Sequence, residues 1–465
     1  MKYISTRGQA PAAAFLDAVI GGLAPDGGLY VPERWPALQA DEIAALAGRP
    51  YAEVAADIVG RFAGDDIDPA RLAEMCADAY ASFNHAAVAP LKQLSPGTFL
   101  LELFHGPTLA FKDIALQLLA GIYDHALASR RRRLTIVCAT SGDTGGAAVE
   151  AFRGRANVRI VALFPEGRIS EVQRRFMTTA DDNNVACLAV RGDFDDCQAM
   201  LKAMFQDTQF ARAVDLSGVN SINFARIAAQ IVYYFTAAVA LGAPRRPVAF
   251  AVPTGNFGDA YAGYCAHLMG LPIERLVLGV NANDILARAL ATGRYERGET
   301  AATISPAMDI QAASNFERLY FEAAERDPVE TARAFEAFAA RGVLDIPPRG
   351  LAAIRALFAA AAVSEAETGR TILSTLNETG ELADPHTAVG LAAAARIGPA
   401  KATTPLVALA TAHPAKFPEA VKAAAGAAPA TPHSVFRLAS RRERVKSIAA
   451  DVETAKIFIR KFAQA

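Results

Sequence analysis

From residue 134 onward the chain alternates short apolar runs, rich in β-branched residues, with longer helical stretches, and this alternation limits the fold more than any other feature. Runs at 134–139, 159–164, 185–190, 248–252, 276–280 and 406–410 read as strands. They are apolar at successive positions rather than at every second one, so both faces must be buried. Such strands separated by helices predict an α/β fold with parallel sheets covered on both sides. Two groups of strands are separated by a helical stretch at 224–241. Residues from about 10 to 85 read instead as helices with short connections, at 40–47 and 71–82 for example, and contain no glycine-rich strand-to-helix turn. The segment 422–433, rich in Ala and Pro, reads as a linker or surface crossing, and 441–462 as a basic amphipathic helix packed on the body.

A chain of 465 residues exceeds what one core usually serves, so two or three domains are expected. With 52% hydrophobic residues and a formal net charge of -1, nothing pulls it globally toward nucleic acid or membrane. The stretch 227–243 is interrupted by Gln230 and Thr236 and is short for a membrane span, so it reads as a buried helix. The first eight residues carry no apolar run before a cleavage site, and a cytoplasmic protein is expected. Five cysteines form no Cys-x-x-Cys pair and sit in apolar contexts, as reduced core thiols do. Seven histidines show no metal-ligand spacing, and no metal is expected.

Two strands end in glycine-rich turns. Thr140-Ser141-Gly142-Asp143-Thr144-Gly145-Gly146 follows the first, with a helix expected near Ala147, and Pro253-Thr254-Gly255-Asn256-Phe257-Gly258-Asp259 follows the fourth. Glycine lets the backbone approach a ligand and the helix dipole favours an anion there, so each turn can cradle a phosphate. Neither is a Walker loop or a Gly-x-Gly-x-x-Gly dinucleotide turn. Between the N-terminal helices and the first strand, Lys112 lies in an almost wholly apolar segment, with Pro107 and Thr108 as helix-start residues and Ala115, Leu116 and Leu119 on its stripe. Burial and the positive end of the helix dipole both push it toward the neutral amine, the nucleophile that forms Schiff bases with carbonyl compounds. The plain alternative is a lysine that snorkels to water.

Six segments in order resemble the threonine synthase family, in its long proteobacterial and fungal form. They are Lys2 to Gly8, His105 to Asp113, Phe164 to Ser170, Asn220 to Asn223, Asp384 to Gly390 and Thr411 to Phe417. That family belongs to the fold-type-II pyridoxal-phosphate enzymes related to tryptophan synthase β. The resemblance implies a threonine-synthase cap at 1–85, a catalytic region at 86–430 and a C-terminal helical extension at 431–465. Within the catalytic region it implies a smaller substrate-side subdomain at about 134–240, and a larger cofactor subdomain formed by 86–133 with 241–430.

Residue by residue, the resemblance implies that Lys112 carries the cofactor and that Gly255, Asn256, Phe257 and Gly258 hold its phosphate. Asp259 caps the helix there, and Thr411 faces the pyridine nitrogen. Ser141, Gly142, Asp143 and Thr144 lie beside the ring and the substrate, with Thr144 catalytic alongside Lys112. Asp143 stands where relatives in this fold class often have Asn, and its plain alternative is a helix N-cap. For the substrate phosphate the candidates are Thr140, Ser141, Arg168, Ser221, Asn223 and Arg226. Arg168 and Arg226 have an ordinary ion pair as alternative, and Asn223 a cap for the helix starting at Phe224. His386 and His413 are expected to position turns. The implied reaction takes O-phospho-L-homoserine and water to L-threonine and phosphate, with a small-molecule substrate and a monomer or homodimer as the working form. The rivals are a serine or threonine dehydratase of the same fold class and a non-catalytic threonine-synthase-like protein.

Overall fold

Each of the six apolar runs is a strand: Leu134–Ala139, Val158–Pro165, Val185–Arg191, Val248–Pro253, Ile273–Val280 and Leu406–Ala410. A computed structural model describes residues 1–464 and divides them into two units, Met1–His105 with Ser221–Pro429 and Gly106–Asn220 with Ala430–Ala465. Among the described residues no helix is long and apolar enough to cross a membrane.

The unit containing Gly106–Asn220 is built on a five-stranded sheet, all parallel, in the order Lys446–Ala449, Val185–Arg191, Val158–Pro165, Leu134–Ala139, Leu216–Ser217. The chain steps outward from Leu134–Ala139 in one direction and later returns on its other side, so the strand order reverses there. In open α/β sheets ligands bind outside the carboxyl end of the strand where this happens, and the Thr140–Gly146 turn occupies that place. Val137, Val161, Leu163, Leu188 and Val190 form a core with Cys197, Met200 and Met204 of one helix and Ala455 and Ile459 of another.

The larger unit holds a six-stranded sheet in the order Phe358–Ala362, Ile273–Val280, Val248–Pro253, Leu406–Ala410, Thr98–Glu102, Leu91–Ser95. All its pairs are parallel except the Leu91–Ser95 and Thr98–Glu102 hairpin. Leu406 pairs with Ala249 and Ala408 with Ala251, so Thr411 and Thr254 leave the sheet at one edge. The N-terminal helices pack within this unit, Tyr51–Ala63 lying on Phe224–Ala240, which in turn lies on Gly258–Leu268. The cap is not purely helical, since Tyr3–Ser5 pairs antiparallel with Tyr30–Pro32.

Three expectations are corrected. The helix carrying Lys112 starts at Lys112 itself and not at Pro107, because Gly106–Phe111 forms turns in which Leu109 adopts a positive φ of 62°. The single helix expected at 441–462 is a strand, Lys446–Ala449, followed by the helix Val452–Gln464; pairing with the exposed edge of Val185–Arg191 overrides the helical charge pattern. The unit boundaries also differ from the expected subdomains. Lys112–Arg130 packs on Asp143–Phe152 and belongs with the smaller sheet, while Phe224–Ala240 packs on Gly258–Leu268 and belongs with the larger.

Candidate active site

The residues singled out in the sequence divide between the two units. In the smaller one, Asp113 shapes the turn ahead of Lys112: its buried carboxylate accepts from Thr108 N at 2.8 Å and Thr108 Oγ1 at 2.6 Å. Gly106 must be glycine there, because a Cβ would lie 2.4 Å from that of Asp113. These contacts hold Lys112 as the first residue of a helix whose stripe, Ala115, Leu116 and Leu119, is wholly buried. The lysine is not in a purely apolar setting, as the sequence suggested. Its side chain is only 11% exposed, and Nζ stands 3.8 Å from Asp143 Oδ2. A snorkelling lysine would reach away from the protein, whereas this side chain is mostly covered and its head lies near a carboxylate.

Asp143 is the first residue of the helix Asp143–Phe152, which begins four residues earlier than expected, and the N-cap is Gly142. Its other carboxylate oxygen, Oδ1, accepts from Gln173 Nε2 at 3.0 Å. Gln173 is buried and was missed in the sequence. It lies three residues into the helix that Ser170 caps, so the family-like Phe164 to Ser170 segment serves to deliver it. Gly142 has φ 128°, and a Cβ on it would lie 2.4 Å from Gln173 Cδ. Thr140 also forms the loop: it is buried, and its Oγ1 accepts from Gly142 N at 2.9 Å and Gly145 N at 2.8 Å. Ser141 and Thr144 are the partly exposed members of this turn, and Arg168 is exposed in the turn after Val158–Pro165.

In the larger unit, the helix Gly258–Leu268 starts from Phe257, whose backbone is left-handed at φ 63°. Its ring is buried against Phe316 and Phe358, so Phe257 offers the loop main chain only. A Cβ at Gly255 would lie 2.8 Å from Ala307 O. Asp259 does not cap this helix. Its carboxylate turns into the core, where Oδ1 accepts from Tyr233 OH and, at 2.9 Å, from Tyr234 OH, while burial pushes its pKa up to about 6. Thr411 is buried immediately after Leu406–Ala410.

Asn223 does cap its helix, accepting from Ala225 N at 3.1 Å and donating from Nδ2 to Val19 O at 2.8 Å, so its amide is engaged within the protein. Arg226, one turn on, is 3% exposed, has no carboxylate partner among the described residues, and its Nε lacks a hydrogen-bond partner. The ion-pair alternative therefore fails for it. Burial lowers its pKa to about 10, which still leaves a buried cation at neutral pH. Both histidines hold turns. His386 bonds Asp384 Oδ1 through Nδ1 at 2.8 Å and accepts from Ala307 N at 3.2 Å; His413 accepts from Ala415 N at 3.1 Å. Among the described residues no group of His, Cys, Asp and Glu is placed to hold a metal.

Each unit carries groups of the kind that hold pyridoxal phosphate: in the smaller, a mostly covered lysine, and in the larger, a helix N-terminus reached through a glycine that tolerates no side chain, with a buried hydroxyl at the same sheet edge as that glycine turn. Three family models match the chain: Threonine synthase N terminus over residues 2–80, Pyridoxal-phosphate dependent enzyme over 87–362, and Threonine synthase, C-terminal over 387–459. Threonine synthase of Pseudomonas aeruginosa is 49% identical over 460 residues, covering 99% of this chain and 98% of that protein. The chain belongs to the threonine synthase family. The match extends to solved members of the family. The crystal structure of PLP-bound threonine synthase from Brucella melitensis superposes with a TM-score of 0.97 at 51% identity, covering all of both chains. That of yeast threonine synthase gives 0.95 at 36% identity, covering 100% of this chain and 99% of that one. The threonine synthase fold, a fold-type-II pyridoxal-phosphate fold, is thus present from end to end.

Proposed function

We propose that this chain converts O-phospho-L-homoserine and water to L-threonine and phosphate, with Lys112 as cofactor anchor and base. The observation that carries the residue assignment is the mostly covered Lys112 side chain, with Nζ 3.8 Å from Asp143 Oδ2, at the start of two packed helices.

When bound, pyridoxal phosphate supplies the conjugated ring that takes up the electron pair left at Cα. The chain's own groups do the rest. The main-chain N–H groups of Gly255 to Gly258 bind the cofactor phosphate at a helix N-terminus. Thr411 meets the ring nitrogen with a hydroxyl, which orients it without the pull toward protonation that a carboxylate exerts. Lys112 moves protons: they leave Cα and Cβ of the substrate and return at Cγ and Cα, while water adds as hydroxyl at Cβ and its remaining proton leaves with the phosphate released from Cγ. Asp143, fixed by Gln173, keeps the lysine head oriented, and Thr144 and Ser141 present hydroxyls on the same turn. Arg226 supplies a desolvated positive charge for the leaving phosphate, with Ser221 five residues before it and Arg168 as a further cation; Asn223 supports them as helix cap.

Incubating the purified, cofactor-loaded protein with O-phospho-L-homoserine tests this reading. Equal release of threonine and phosphate is expected. Deamination of threonine without any phosphate release from O-phospho-L-homoserine would place the chain among the dehydratases instead.

A further inference from the structure

Asn315 occupies the N-cap position of the helix Phe316–Ala323, a place where asparagine usually caps, yet its side chain makes no cap hydrogen bond. Its amide is used elsewhere. Nδ2 donates to Asn256 O at 3.1 Å and to Ser221 O at 3.3 Å, and the Asn315 main-chain N–H adds a second bond to Asn256 O at 3.1 Å. One amide group thus joins the glycine turn at Asn256 to the segment leading into Arg226, across separations of 59 and 94 residues.

Arg318 decides which end of that amide faces the two carbonyls. Its Nη1 donates to Asn315 Oδ1 at 2.5 Å, so the oxygen is held on the arginine side and the NH₂ on the other. Arg318 is itself fully buried, donating to Tyr30 O from Nε and Nη2 at 3.0 Å and to Ile222 O at 2.5 Å, with the Phe224 and Tyr261 rings at 5.8 and 5.9 Å. Desolvation lowers its pKa to about 10, so it remains a cation that can only donate. The helix carrying both residues is pinned by the N-terminal segment: Thr6 and Arg7 bond the buried Glu317, at 2.7 Å and, from Arg7, at 3.0 and 2.9 Å. Gly258 leaves room for the amide, since a Cβ there would lie 3.3 Å from Asn315 Nδ2.

We propose that Asn315 is a positioning residue for the cofactor-phosphate turn, holding the Asn256 main chain at a fixed spacing from Ser221 while Arg318 sets the orientation of its amide. The inference rests on the reading that Gly255 to Gly258 bind the cofactor phosphate. It gives the N-terminal cap a chemical purpose, because Thr6, Arg7 and Tyr30 anchor the helix that carries the clamp.

The test compares the wild-type chain with Asn315→Asp and Gly255→Ala. Aspartate keeps the size of the side chain and gains an ion pair with Arg318, but turns an acceptor toward two carbonyl oxygens. Dissociation constants are measured by equilibrium dialysis for pyridoxal phosphate and for pyridoxal, which lacks the phosphate, beside the unfolding midpoint of the cofactor-free protein. Asn315→Asp is expected to weaken pyridoxal phosphate about tenfold or more, the worth of one to two hydrogen bonds. Pyridoxal affinity and the cofactor-free midpoint should stay near wild type. Equal weakening of both ligands, or weakening that only follows a lost midpoint, makes Asn315 merely structural and overturns the proposal. Unchanged pyridoxal phosphate affinity in Asn315→Asp, with Gly255→Ala weakened, overturns it as well. If Gly255→Ala also binds as wild type, the phosphate assignment of the turn itself is wrong.

Discussion

The two glycine turns are written in nearly the same local grammar and are put to opposite use. Each follows an apolar strand, opens a helix and carries one aspartate in the first helical turn. Asp143 is directed at a lysine and held there by Gln173; Asp259 is turned into the core and held by Tyr233 and Tyr234. The difference follows from what each turn must attract. On the proposed reading, a carboxylate beside the lysine helps it keep one geometry, whereas a carboxylate at the mouth of a helix that receives a phosphate would repel it. Burying Asp259 carries a cost, visible in its raised pKa and in an Oδ2 without a partner. It removes the charge from the anion's side of the helix.

Exchanging the two acids for alanine separates these uses most sharply. Asp143→Ala is expected to lower kcat by about 100-fold, the usual scale for a misplaced proton-transfer group, a loss that persists in molecules that remain folded. Asp259→Ala should do the reverse, losing about 2–4 kcal/mol of stability by leaving two tyrosine hydroxyls and a cavity behind, with kcat per loaded molecule nearly retained. Steady-state kinetics beside thermal unfolding reads both, and an equal loss of kcat in the two variants would erase the contrast.

A smaller effect belongs to Gly142. A methyl group there meets Gln173 Cδ and forces an L side chain to φ 128°, so Gly142→Ala should lose on the order of 1–3 kcal/mol of stability. Because Gln173 is the neighbour displaced, kcat should fall with it, and a Gln173→Ala background should relieve part of the strain.

The smallest is a pH dependence. The Asp259 carboxyl titrates at about 6 in the folded protein against 3.8 in the unfolded chain, chiefly through burial. Between those values the folded state keeps a proton that the unfolded state has released. Its contribution to stability is therefore full below pH 3.8 and is lost as pH rises through about 6. Denaturant unfolding at stepped pH should show that decline in the wild type and lack this component in Asp259→Asn; an unchanged profile in the variant would place the titration elsewhere.

Much of this was legible in the chain. The central strands were, because parallel strands buried on both faces must be apolar throughout, and so was the Asn223 cap, which is local. What was hidden depends on distant partners. Nothing in Asp143 or Asp259 tells which way each points, since Gln173 and the Tyr233–Tyr234 pair decide it from 30 and about 26 residues away. Asn315 and Arg318 have no motif, because they act on carbonyl groups, which every residue has. The strand Lys446–Ala449 was hidden for the same reason: its four residues are held by an edge that lies elsewhere in the sequence.

The central claim, that Lys112 and no other lysine carries the cofactor, is open to one direct measurement. Borohydride reduction of the pyridoxal-phosphate-loaded protein, followed by proteolysis and mass analysis, should place a single pyridoxyl group on the peptide containing Lys112. A label on any other lysine, or no fixed label despite bound cofactor, would contradict the account.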